Sequence, residues 1–122
     1  MAYTNIDLPT EYFNTKLYTG DGTTANSVTG VGFQPDLVWI KGRTANREPI
    51  IQDSVRGTFR YLITAGTGAE NTNSNFDWFK SFNSDGFIVA FTSSNSTTTG
   101  EWNSSGSTYA SWNWLGANTT VS

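Results

Sequence analysis

No stretch of this sequence carries apolar residues at helical spacing for more than about one turn, whereas short alternating segments recur between clusters of Gly, Asn, Asp and Ser. That pattern restricts the chain to β-structure. The clearest instance is "FDWFKSFNSDGFIVAF", in which apolar runs at 78–82 and 87–91 flank Asn83-Ser84-Asp85-Gly86. Asp-Gly suits a tight turn that needs positive φ, so the segment predicts a hairpin.

The stretch "GVGFQPDLVWIKGR" places Pro35 and Asp36 at a turn and then a dense apolar run. Leu37, Trp39 and Lys41 point one way, Val38 and Ile40 the other. A strand apolar on both faces belongs inside a two-layer packing, which assigns Trp39 to the core. "YFNTKLYTG" alternates Phe13, Thr15 and Leu17 against Asn14, Lys16 and Tyr18. The closing run "TYASWNWL" sets Ala110, Trp112 and Trp114 on one face and Tyr109, Ser111 and Asn113 on the other. Further short strands are expected at 25–28, 50–52 and 60–64. The expected fold is an all-β sandwich or jelly roll of short antiparallel strands. Its expected core is Leu17, Val38, Trp39, Ile40, Leu62, Phe82, Phe87, Val89, Trp112 and Trp114.

A chain of 122 residues suits one such domain. Residues 1–12 read as a docking arm: Pro9 breaks any helix, and Tyr3, Ile6, Leu8 and Tyr12 are apolar anchors for another surface. Residues 13–116 make the sandwich, and the Thr/Ser-rich residues 117–122 read as the start of a linker or a tail. The first residues have neither the basic nor the apolar region of a signal peptide, and no apolar run approaches the roughly 20 residues that cross a bilayer. No membrane insertion is expected.

Composition limits the chemistry. Histidine and cysteine are both absent, which removes Ser-His pairs, thiolates, imidazole zinc sites and disulfides. Carboxylates remain, but Asp77, Asp85 and Glu101 are scattered, and Glu48 and Asp53 fall on opposite faces of a regular strand. "DGTTAN" from Asp21 and "NSDG" from Asn83 resemble calcium loops only weakly and read better as turns. "GTGAEN" lacks the Lys-Ser/Thr of a phosphate loop. No catalytic residue, metal or cofactor is assigned, and the chain is not expected to be an enzyme. A net charge of −3 opposes binding to a phosphate backbone, so no nucleic acid partner is expected. The four arginines between Arg43 and Arg60 read as a solvated face.

Sugars are held by aromatic faces and by planar amides. Loop positions offering both are Trp102, Asn103, Asn95, Asn73 and Phe76, with Trp102 the Trp clearly outside a strand. These five are the candidate ligand residues.

Taken in order, "YTGDGT", "QPDLVWIK", "DSVRG", "SDGF" and "YASWNW" resemble a concanavalin A-like domain recurrent in tailed-phage virion proteins of tail-fibre type. The landmarks fall at Tyr18–Gly20, Gln34–Lys41, Asp53–Gly57, Ser84–Phe87 and Tyr109–Trp114. The family often has Cys where this chain has Asn113, and its members usually continue beyond the linker. The resemblance implies a concanavalin-like sandwich filled by the Trp residues, and a turn at Asp53, Arg56 and Gly57 built on a charged pair. It implies a virion structural protein on the tail or capsid surface, a tail-fibre or head-fibre module with host-surface glycan recognition. The alternatives are a capsid decoration (cement) protein without ligand, and a free lectin or glycosidase-like domain. Expected partners are other virion proteins, a host glycan and further copies of the chain. The lack of bridges and the apolar arm point to a homo-oligomer, a trimer being the first expectation for a fibre.

Overall fold

The computed structural model describes residues 8–44, 46–72, 78–91 and 102–116. Among these the chain is all-β, with eight strands in two antiparallel sheets. The strands are β1 (Phe13–Thr19), β2 (Asn26–Val28), β3 (Leu37–Gly42), β4 (Ile50–Asp53), β5 (Leu62–Ile63), β6 (Phe79–Asn83), β7 (Gly86–Val89) and β8 (Thr108–Trp114). The larger sheet has the order β1-β8-β3-β4-β5 and the smaller β2-β7-β6. A single 3-10 turn, Pro9–Glu11, precedes β1, with Pro at the start where its missing N–H costs nothing.

The sheets share one core. Val38, Ile40, Ile50 and Tyr109 from the larger sheet meet Val28, Phe79, Phe87 and Val89 from the smaller, all nearly inaccessible. Tyr18 stacks on Tyr109 with ring centroids 5.0 Å apart and meets Phe87 edge-on at 6.0 Å. Burial, and then the neighbouring Tyr109, push the Tyr18 hydroxyl well above its ordinary pKa. It stays neutral and donates a hydrogen bond to the Trp102 carbonyl at 2.9 Å. The result is a sandwich-like packing of the kind the alternating segments predict.

The expected hairpin is present as β6 and β7, with Asn83 opposite Gly86 and a loop of Ser84 and Asp85. Gly86 is required by space: a Cβ there would lie 1.9 Å from the Val28 carbonyl oxygen. Asp85 ties the turn to the preceding loop, accepting the amides of Gly30 at 2.9 Å and Gly32 at 2.7 Å. Those two amides hold its carboxyl below the ordinary pKa. The Asp53–Gly57 landmark also forms its turn. Asp53 accepts the Arg56 amide at 2.8 Å and its guanidinium at 2.6 Å, and Gly57 sits at φ +92°.

The expected core needs correction at its tryptophans. Val38, Ile40, Phe87 and Val89 are buried, but Leu17 is 55% exposed and Trp39 and Trp114 are each 36% exposed. Leu62, Phe82 and Trp112 are only half-buried. In β8 the inward face is Tyr109, Ser111 and Asn113, and the tryptophans point out. The reason lies in register. Tyr18 of β1 opposes Tyr109, Lys16 opposes Ser111 and Asn14 opposes Asn113. The inward polar side chains of β8 bond the backbone of β1: Ser111 Oγ donates to the Lys16 carbonyl at 3.2 Å and Asn113 Nδ2 to the Asn14 carbonyl at 3.1 Å.

Candidate docking surface

With Tyr109, Ser111 and Asn113 inward, the opposite side of the larger sheet carries the aromatics. One row across the strands runs Thr15, Trp112, Trp39, Ile51 and Leu62, and the next runs Phe13, Trp114, Leu37 and Asp53. Leu17, Ala110 and Lys41 make a third. Residues directly opposite on one face sit close enough to pack, and here they do. Trp39 and Trp112 have ring centroids 5.3 Å apart at 46°, and Phe13 and Trp114 lie 5.0 Å apart at 49°. The Trp39 indole donates to Thr64 Oγ1 at 3.1 Å, which fixes its ring on the surface.

The rim is polar. Beside Asp53, Arg56 pairs with Asp53 at 2.6 Å and with Glu70 at 3.1 Å, and Arg60 pairs with Glu70 at 3.0 Å. Burial opposes ionisation of Asp53, but the Arg56 amide and then its guanidinium outweigh it and leave the pKa below the ordinary value. Hydrogen bonds from Arg60 and then Arg56 hold Glu70 low as well. Two of the four arginines expected on a solvated face are therefore committed to this network. The surface as a whole is an aromatic and aliphatic patch bordered by fixed ion pairs and threonine hydroxyls. That suits desolvating contact with another apolar surface.

The residues expected to hold a sugar fall elsewhere. Trp102 is not an exposed loop aromatic; it is 1% exposed, edge-on to Trp78 at 4.8 Å and to Tyr61 at 5.7 Å. Its indole N–H donates to the Glu48 carbonyl at 3.2 Å, so no ring face is open for stacking. Asn103 is fully buried and works as an internal staple. Its Oδ1 accepts the Asp21 amide and the Asn26 side chain, and its Nδ2 donates to Asp21 Oδ1 and the Thr23 carbonyl at 2.9 Å each. Asp21 is thus engaged in the turn chemistry expected for "DGTTAN", its carboxyl held low first by the Thr23 amide and then by the Thr23 hydroxyl. Asn73, Phe76 and Asn95 lie outside the described residues, as do Tyr3 and Ile6 of the arm. Leu8 is 57% exposed and Tyr12 half-buried.

Assigning Phe13, Leu17, Trp39, Trp112 and Trp114 to a surface was within reach of one signal. Val and Ile are buried completely far more often than Trp, and β3 offers Val38 and Ile40 on one side and Trp39 on the other.

A family model described as a domain of unknown function (DUF7483) matches residues 8–122. No curated protein and no solved structure matches the chain.

Proposed function

Given that the chain belongs to the DUF7483 family, we propose from its own residues that it is a non-catalytic structural module of a bacteriophage virion. In this reading it is a tail-fibre or head-fibre domain of concanavalin-like, jelly-roll type that docks through the outer face of its larger sheet. The observation that carries the reading is the pair of surface aromatic contacts, Trp39 with Trp112 and Phe13 with Trp114, set beside the exposed Leu17. Rings already fixed by their neighbours lose little freedom on contact, so such a face binds a partner at low entropic cost. The order of landmarks from Tyr18 to Trp114 supports the virion assignment by resemblance.

Capsid decoration is a second reading, favoured by the burial of Trp102, which leaves no indole in the 102–107 loop free to stack on a host glycan. Labelling the protein on intact particles and locating it by electron microscopy tests both. Label on fibres supports the first reading, and label distributed over the capsid shell supports the second. Particles without label overturn the virion assignment.

A further inference from the structure

The larger sheet ends at β1, and that edge is long and regular. We propose that β1 pairs antiparallel with β1 of a second copy of this chain, about a two-fold axis through Thr15, joining the two larger sheets into one.

The edges of the two sheets differ. β1 runs seven residues in unbroken register with β8, and none of them is buried. The other outermost strands are curtailed: β5 has two residues, β2 has three, and β6 carries an irregularity between Phe79 and Ser81. Short or bulged edges keep a sheet from pairing with another chain, and β1 has neither device. A charge pointing inward is a further guard, but Lys16 is turned onto the neighbouring loop. A Cβ on Gly30 would lie 2.8 Å from its Nζ. Asn14 is turned the same way and donates to the Val31 carbonyl at 3.0 Å.

The backbone of β1 is half used. Amides and carbonyls alternate sides along a strand. The Tyr12 carbonyl accepts from Leu115 and the Gly20 amide donates to Ser107, each at 2.8 Å, and the Asn14 and Lys16 carbonyls accept from β8 side chains. Even-numbered residues therefore face β8. Phe13, Thr15 and Leu17 aim their amides and carbonyls away from the sheet, and among the described residues nothing bonds them. Beyond them the edge closes, because the Asn26 side chain donates to the Thr19 carbonyl at 3.1 Å.

Register selects a second copy as the partner. An axis through Thr15 sets Thr15 opposite the partner's Thr15, and Phe13 opposite the partner's Leu17. Each outward group of Phe13, Thr15 and Leu17 then has a backbone partner. On the outer face the exposed Phe13 and Leu17 meet across the strands, the kind of pair that stabilises a sheet. On the inner face Asn14 meets the partner's Lys16. Moving the axis to Lys16 sets two like charges opposite one another and gives Phe13 a Thr19 whose carbonyl is already taken. Moving it to Asn14 carries Leu17 past the end of the strand. The contact is isologous and closes as a dimer. It needs no contact at the outer face, and it sets the aromatic faces of both copies on one side of a continuous sheet.

Proline on an edge strand removes only an outward N–H, so Thr15→Pro separates pairing from folding. In light scattering over a dilution series, the wild type is expected to dimerise, and full-length Thr15→Pro to stay monomeric with an unchanged circular-dichroism spectrum. Full-length Phe13→Lys and Leu17→Glu are each expected to be monomeric alone and to form a mixed dimer when combined, since the register sets these positions opposite one another. A folded Thr15→Pro that still dimerises overturns the pairing. Should Thr15→Pro fail to fold, the charged pair decides: no mixed dimer overturns the pairing. A monomeric or trimeric wild type overturns it as well, and leaves the outer face standing as a docking surface for other proteins.

Discussion

Trp39 and Trp112 sit opposite one another on β3 and β8, ring centroids 5.3 Å apart, on the side of the sheet away from the core. In the loop before β8, by contrast, Trp102 lies edge-on to Trp78 at 4.8 Å with 1% of its surface exposed. The chain thus divides its tryptophans between two tasks, and the division has measurable consequences.

Stability should follow that division. Trp102→Ala removes a fully buried ring and its hydrogen bond to the Glu48 carbonyl, and is expected to cost about 3–5 kcal/mol. Trp114→Ala removes a residue 36% exposed and should cost about 2 kcal/mol in the isolated chain, less than Trp102→Ala. Urea unfolding of the two variants measures the difference directly. Equal losses would contradict the placement of β8's faces.

The strand pattern was legible because it depends on local alternation and turn residues. Phe79–Asn83 and Gly86–Val89 fall within a residue or two of the expected hairpin, and β3 and β8 stand where their runs are. The side each strand shows the core was harder to read. "LVWIK" is apolar on both sides, and in "TYASWNWL" hydrophobicity favours Trp112 and Trp114 over Ser111 and Asn113. The inward face goes with partners distant in sequence: the backbone carbonyls of Asn14 and Lys16 in β1 accept from Asn113 and Ser111 across the sheet, and a one-residue shift would invert every side chain. Trp102 was misplaced for a similar reason. Its loop reads as polar, and only the meeting of Trp78, Tyr61 and Glu48 around it makes a pocket for the ring. The Asp53-Arg56-Gly57 turn was legible because the bonds that close it, from Arg56 and the Gly57 amide to Asp53, are local.

Asn103 should prove a structural residue. Replacing it with Ala removes its side-chain bonds to the Asp21 amide, the Asn26 side chain, Asp21 Oδ1 and the Thr23 carbonyl. A loss of about 1–3 kcal/mol is expected from these lost bonds together. Glycan binding reduced at unchanged melting temperature would contradict this role.

Close backbone approach makes two glycines intolerant. A Cβ at Gly20 would lie 2.2 Å from the Ser104 carbonyl oxygen, and one at Gly86 1.9 Å from that of Val28. Gly20→Ala and Gly86→Ala should each destabilise by at least about 1–3 kcal/mol through forced backbone shifts. Gly68→Ala meets nothing within 4 Å and serves as the neutral control in the same thermal melts.

Acid should loosen the protein through its paired carboxylates. Asp85, Glu70, Asp53 and Asp21 all have folded pKa values below the ordinary range, held down by the Gly30 and Gly32 amides at Asp85 and by the Arg60 and Arg56 guanidinium groups at Glu70. A depressed folded value means the unfolded chain takes up protons first. The stabilisation is complete above the unfolded carboxylate pKa of about 4 and is lost as pH falls through the folded values. Asp85→Asn should flatten the acid limb of a melting-temperature profile, whereas a profile unchanged in shape would contradict the Asp85 clamp.

The account's central claim is that the outer face of the larger sheet is a docking surface, and hydroxyl-radical footprinting read by mass spectrometry tests it most directly. Leu17, Trp39 and Trp114 should be oxidised in the dilute isolated chain and protected in the assembled protein. Trp102 should be protected in both. Oxidation of Trp39 and Trp114 to the same extent before and after assembly would contradict the claim.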